Sequence, residues 1–444
     1  MNEKSLSSPE SAPLVPVLLY PRDEASVAER LARREALVNS ALIASVSEIF
    51  AQVKQTGDRA VLAATRTHDG VELGSLRVSE DAIQQALAAL SPELRTAIKI
   101  ARARIEWVNR ELMPRDVVRE MEPGVRVGEL FRPLASVALW IPCRKGPLLS
   151  TALMLVTAAR VAGVPRIVVL MPPRADGAAD PGTLAAARFA GAHECFVGNG
   201  VSLLAAVTHG TESLPRVAGV FRPGPGGIAV AMAMAGMFGL KTEAGIGPTD
   251  YAVLADDSAD PRLVAWDLAS EAEHGPDSAA LLATPSEAFA GKVAAELGRI
   301  IENAEPGRRE NLRQVFGTAG RGLLVACPDF EAACELAARF APEHLSVVCN
   351  PERRTHAISS AVAGELLVGP YTPFAAANYA IGITAVLPTN GAARSLSGVT
   401  ARDMLRTTTL GELDQVALAT LVPTVAALAR YEGLPCHAKA VEAR

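Results

Sequence analysis

Ala341-Pro342-Glu343-His344-Leu345 sets a carboxylic acid beside an imidazole just before a short apolar run, so acid–base chemistry could emerge there at the edge of a sheet. A helix-to-strand loop without chemistry would read the same way. The chain has only seven histidines, and His274 ends the run Ser270-Glu271-Ala272-Glu273-His274. Residues three apart share one helix face, so Glu271 and His274 can be presented together to a metal ion. A solvated acidic turn closed by a histidine near the helix C-terminus is the competing reading. Gly224-Pro225-Gly226-Gly227 precedes an Ala/Met-rich helix, where backbone amides can approach a phosphate or another backbone segment. The turn lacks the GxGxxG spacing, and tight packing explains it equally well. Arg144 and Lys145 stand between a predicted strand and a helix starting near Pro147, where two cations and free amides would hold an anion unless the loop is simply solvated.

These groups need a scaffold, and the hydrophobic pattern predicts one. Short Val/Ile-rich runs at Ala135 to Pro142, Arg166 to Met171, His193 to Val197 and Val217 to Phe221 alternate with Ala/Leu-rich helical stretches. A second set follows at Tyr251 to Ala255, Ala279 to Ala283, Gly322 to Ala326, Leu345 to Cys349 and Glu365 to Val368, with helices such as Pro261 to His274 between them. The rhythm is that of parallel open sheets with helical crossovers. Val27 to Thr56 has helical spacing and is expected to form an arm after a loose tail, while the region after Pro388 reads as loop and then helix from Leu413 to Tyr431. The expected fold class is α/β, with two Rossmann-like open-sheet domains, an N-terminal helical arm and a small C-terminal lobe. The expected division is residues 1–48 for the arm, 49–137 with 247–398 for the main domain, 138–246 for a second domain on the cofactor side, and 399–444 for the lobe.

The chain's 444 residues exceed what one core usually serves. A formal net charge of −5 and 49% apolar residues disfavour disorder and nucleic-acid binding, leaving a small molecule, possibly anionic, as the expected partner. Six scattered cysteines form no CxxC pair, and no apolar run is long enough to span a bilayer, so a cytoplasmic protein is expected.

Several segments together, in consistent order from about Val137 to the C-terminus, resemble the histidinol dehydrogenase family. They are Gly247-Pro248-Thr249-Asp250, Ser270 to His274, Ala341 to Leu345, Gly369-Pro370-Tyr371-Thr372-Pro373, Val386-Leu387-Pro388-Thr389 and Glu432-Gly433-Leu434. The resemblance implies a zinc ion held by Gln, His, Asp and a C-terminal His, and oxidation of an amino alcohol by two NAD molecules. By position, His274 and His437 match the two ligand histidines, and Glu343 and His344 match the catalytic pair. Thr249 stands at a substrate-contacting Ser position, and Glu432 is implied as a substrate contact. The resemblance also implies a homodimer whose C-terminal lobes exchange, so that His437 serves the neighbour's metal.

The sequence departs from the family at several of these places. Glu271 replaces the Gln ligand and Asn378 the Asp ligand, which keeps one anionic oxygen ligand in the set. Thr384-Ala385 replaces the Asn-His before VLPT. On the cofactor side the family's aromatic is Trp140, its glycines are Cys143 and Arg144, its Gln is Ser202 and its GPGN Asn is Gly227. These changes lead to the expectation of a zinc-dependent oxidoreductase that acts on the CH–OH group of an unknown small molecule with NAD or NADP, and not on histidinol. A ligand-binding or regulatory homologue without turnover is the alternative.

Overall fold

The computed structural model describes residues 14–33, 38–144, 146–224, 226–242 and 248–444, so Lys145, Pro225 and Gly247 lie outside it, as do the expected tail and Leu37 of the expected arm. The chain opens with β1 (Val17–Leu19), followed by helices Glu24–Ala32 and Ser40–Thr56 where one continuous arm was expected. After further helices comes a hairpin, β2 (Val117–Glu122) and β3 (Val125–Pro133). Five parallel strands follow, β4 (Val137–Trp140), β5 (Ile167–Met171), β6 (Glu194–Val197), β7 (Gly219–Phe221) and β8 (Lys241–Thr242). A second set comprises β9 (Asp250–Ala255), β10 (Ala279–Thr284), β11 (Gly322–Ala326), β12 (His344–Val348) and β13 (Glu365–Val368), and β14 (Leu405–Leu413) comes last.

The two parallel sheets share one winding, as duplicated open sheets would. The smaller is ordered β6-β5-β4-β7-β8, and the larger β1-β11-β10-β9-β12-β13. Apart from the edge strand β1, contributed from the start of the chain, each starts at a central strand, builds outward to one side and then crosses to the other, the Rossmann-like pattern expected from the sequence. Helices cover both faces, so the central strands read as unbroken apolar runs, and every residue of β9, β10 and β11 is buried. Residues Val386, Val399, Ala401 and Met404 enter the core beneath the smaller sheet, so the chain beyond the larger sheet returns to pack there.

Three strands stand apart. The order β14-β3-β2 is antiparallel, and Leu405 to Leu413 pairs residue for residue with Pro133 to Val125. This ribbon leads into helices Gln415–Tyr431 and Pro435–Glu442, whose mutual core is three alanines, Ala426, Ala429 and Ala438. No described helix is long and apolar enough to cross a membrane.

Candidate active site

The parallel sheet delivers its chemistry to the amino ends of its strands. Asp250 opens β9, His344 opens β12 and Glu365 opens β13. Helix Pro261–Ala272 begins beyond the carboxyl end of β9, with Pro261 in its first turn and Asp260 capping the amide of Arg262. A crossover helix must run back to the start of the next strand, so its C-terminal end brings Glu271 and His274 to the amino ends as well. Ligands of open sheets usually sit at the carboxyl ends, so this position departs from that rule, while it agrees with the placement of Glu343 and His344 just before a strand.

Asp250 ties the loops together. One oxygen accepts the Glu343 amide at 2.6 Å, and the other accepts the Asn390 amide at 2.6 Å. Glu343 in turn accepts the Thr249 hydroxyl at 2.8 Å. Burial pushes the Glu343 carboxyl up to about 8; the His344 imidazole opposes that shift, while Glu271 and Asp250 add to it. His344 lies with Nε2 3.6 Å from Glu343 and Nδ1 2.6 Å from Glu365. Burial works against a charged imidazole, but Glu343 and Glu365 outweigh it and hold the His344 pKa above its ordinary value. The Phe374 ring meets the imidazole edge-on, 4.5 Å between centroids.

Glu271 is fully buried, and neither carboxylate oxygen has a hydrogen-bond partner among the described residues. Burial pushes this carboxyl up to about 8. Such a group calls for a cation, or for a proton in its absence. The His274 amide bonds back to the Glu271 carbonyl at 3.2 Å, and its ring lies 6.3 Å from that of Phe374. Asn378 is half-buried in the wide helical turn Ala377–Ile381, which directly follows the Phe374 turn. Glu432 and His437 are exposed on the C-terminal helix pair. Among the described residues of one chain, no three His, Cys, Asp or Glu side chains gather as a metal site.

The proposed cofactor residues cluster at the carboxyl ends of the smaller sheet. Trp140 ends β4, buried against Gly200, where an added Cβ would stand 2.8 Å from the indole. The Ser202 hydroxyl is spent on the Asn199 carbonyl at 3.0 Å, inside the first turn of helix Gly200–His209. Gly227 begins helix Gly227–Met237 and packs on Val201. Arg144 is paired with the buried carboxylate of Asp69, which neutralises the cation expected to be free for an anion.

Sequence reasoning missed Arg222, which follows β7 directly. It is 3% exposed, its Nη1 donates to the Gly224 carbonyl, and its Nε and Nη2 have no partner among the described residues. Burial pushes this guanidinium down to about 9. Glu365 and Phe374 were also missed, because no spacing in the sequence says that they meet His344.

An imidazole between buried carboxylates at one open sheet, and a buried guanidinium beside a glycine turn at the other, give an α/β protein equipped for proton transfer. The chain belongs to the histidinol dehydrogenase family, whose pattern matches residues 32–444. Among its relatives, the histidinol dehydrogenase of Synechocystis is 41% identical over 93% of this chain and 94% of that protein. That of Xanthomonas axonopodis is 37% identical over 95% of this chain and 97% of its own length. A crystal structure of histidinol dehydrogenase from Elizabethkingia anophelis superposes with a TM-score of 0.91 at 28% identity, covering 98% of both chains. Membership in a dehydrogenase family makes the chain an oxidoreductase, as expected.

The expectation that histidinol is not the substrate is overturned by these relatives, which match nearly the whole chain and carry that name. It had rested on a few local changes. One of them has a local backbone role, since the Thr384 hydroxyl accepts the Val386 amide at 3.2 Å, and nothing in the structure explains Ala385.

Proposed function

We propose that the chain oxidises histidinol, with zinc and a nicotinamide cofactor, through a proton-transfer site centred on His344. The observation that carries this reading is the His344 imidazole with Nε2 facing Glu343, beside the Thr249 hydroxyl and Glu271, whose carboxylate has no partner among the described residues. His344 Nε2 takes the proton of the alcohol, and Glu343, kept protonatable near neutrality by burial, handles the proton of water once the aldehyde is to become an acid. Thr249 orients Glu343 and offers its hydroxyl to a polar substrate group. Glu432 is the further substrate contact.

Glu271, His274, Asn378 and His437 are the proposed metal ligands, and the orphaned carboxylate of Glu271 supports the fit. A zinc ion held there would polarise the alcohol oxygen. On the other sheet, Arg222 beside the start of helix Gly227–Met237 fits a phosphate-bearing cofactor, and Trp140 and Gly227 are the further proposed contacts, whereas Arg144 is held by Asp69 and the Ser202 hydroxyl by Asn199. Two nicotinamides, bound in turn, would accept the two hydrides that leave as the alcohol becomes an aldehyde and the hydrated aldehyde becomes an acid. Residues 138–246 are accordingly proposed as the cofactor side and residues 399–444 as the lobe exchanged within a homodimer. The exposure of His437, together with Val416, Leu428 and Tyr431 left uncovered at 75%, 61% and 94%, supports that exchange.

The test is to load the purified protein with zinc and follow reduced nicotinamide and histidine from histidinol. Neither product from zinc-loaded, dimeric protein would overturn the proposal.

A further inference from the structure

Glu365 has no role in the chemistry described so far, yet it is placed to control it. Parallel pairing sets His344 directly opposite Glu365 on one side and Tyr251 on the other, so the three side chains share one face of the larger sheet. Along β12 the next residue on that face is Ser346, and Tyr251 donates to its hydroxyl at 2.6 Å. The imidazole is therefore bounded by the sheet, by the Phe374 ring and by Glu365, and Nε2 is left toward Glu343.

At 2.6 Å, Nδ1 and Glu365 Oε1 must share a proton, because two bare acceptors would repel at that distance. The other carboxylate oxygen, Oε2, is buried without a partner among the described residues, so Glu365 has no competing donor to draw it from His344.

We propose that Glu365 is a positioning residue of the reaction. It accepts the Nδ1 proton, fixes the tautomer in which Nε2 carries the lone pair, and stabilises the imidazolium formed when Nε2 takes the alcohol proton. The arrangement rests on the reading of His344 as the base, but its physical content can be measured without turnover.

The experiment uses the full-length, zinc-loaded protein with E365A, E365Q and H344N. Long-range 15N–1H spectra at alkaline pH, with the His344 signal assigned by its loss in H344N, should report Nδ1–H in the wild type and mixed tautomers in E365A. With histidinol, kcat should fall about 10- to 100-fold in E365A and less in E365Q, whose amide oxygen still accepts from Nδ1, while KM changes less than about 2-fold. In the H344N background E365A should cost nothing more. A wild-type-like tautomer in E365A, or losses that add in the double variant, would overturn the proposal, and E365Q decides the matter if E365A does not fold. Absence of histidinol oxidation by the wild type would instead strike the functional reading and leave the tautomer result to judge Glu365.

Discussion

His344 and its carboxylates share a buried site, so the effect of each substitution depends on which charge is left behind. Replacing His344 by Asn removes the proposed base but leaves Glu271, His274 and Asn378 in place. H344N should therefore lose about 10²- to 10⁴-fold in activity, with zinc content and thermal midpoint nearly unchanged. Full activity in that variant would exclude His344 as the base. Asp267 offers a test of burial alone. Burial pushes its carboxyl up from 3.8 to about 6. Between those two values the folded protein keeps a proton that the unfolded chain releases, so this contribution is whole below the lower value and is lost as pH rises through the upper one. D267N removes the linkage. Relative to the wild type it should gain about 1 kcal/mol in urea unfolding between pH 5 and pH 7.5, and a pH-independent difference would refute the assignment.

The strands work as a frame because β12 and β13 approach each other closely at their amino ends. Glu365 N donates to the Glu343 carbonyl at 2.9 Å, and Gly364 N to the Pro342 carbonyl at 3.0 Å. A Cβ at Gly364 would stand 2.6 Å from the Glu343 carbonyl oxygen, a backbone atom that cannot swing away. G364A should thus cost about 1–3 kcal/mol and lower activity by moving Glu343 and His344 against Glu365. Gly291, exposed in helix Glu287–Asn303, has nothing within 4 Å of its added Cβ. G291A should gain about 0.5–1 kcal/mol from helix propensity and leave activity alone. Denaturant midpoints of the two variants moving in the same direction would contradict this account of the frame.

In the whole molecule, the proposed metal ligands are split between the α/β body and a C-terminal pair of helices with a core of three alanines. A lobe with so small an interior needs a larger surface to rest on, and its exposed apolar residues offer one. If that surface belongs to a second copy, each metal site takes His274 from one chain and His437 from the other. Protein defective at His274 mixed with protein defective at His437 would then form heterodimers with one intact site. With free exchange half the dimers are mixed, so zinc binding should recover to about a quarter of the wild-type value. Verified heterodimers that bind no zinc would mean that His437 serves its own chain.

Local pattern determined much of this protein. Strands β5, β10 and β11 lie within a residue or two of their expected places because burial on both faces leaves an apolar run bounded by helix caps and turns. The neighbouring pairs Glu343–His344 and Glu271–His274 were legible for the same reason, since each depends on spacing within one segment. β1 has only three residues, and β14 is a polar, largely exposed strand whose partner β3 lies far back in the chain, so neither announces itself. Only the tertiary structure decided that the carboxylates meet at the amino ends of the strands. The same holds for the Ser202 hydroxyl, spent on a helix turn, and for Arg222, left buried without an anion partner among the described residues. Above all, register placed Glu365 opposite His344: a shift of β13 by one residue would turn that carboxylate to the other face, and nothing in the order of the amino acids near residue 344 records it.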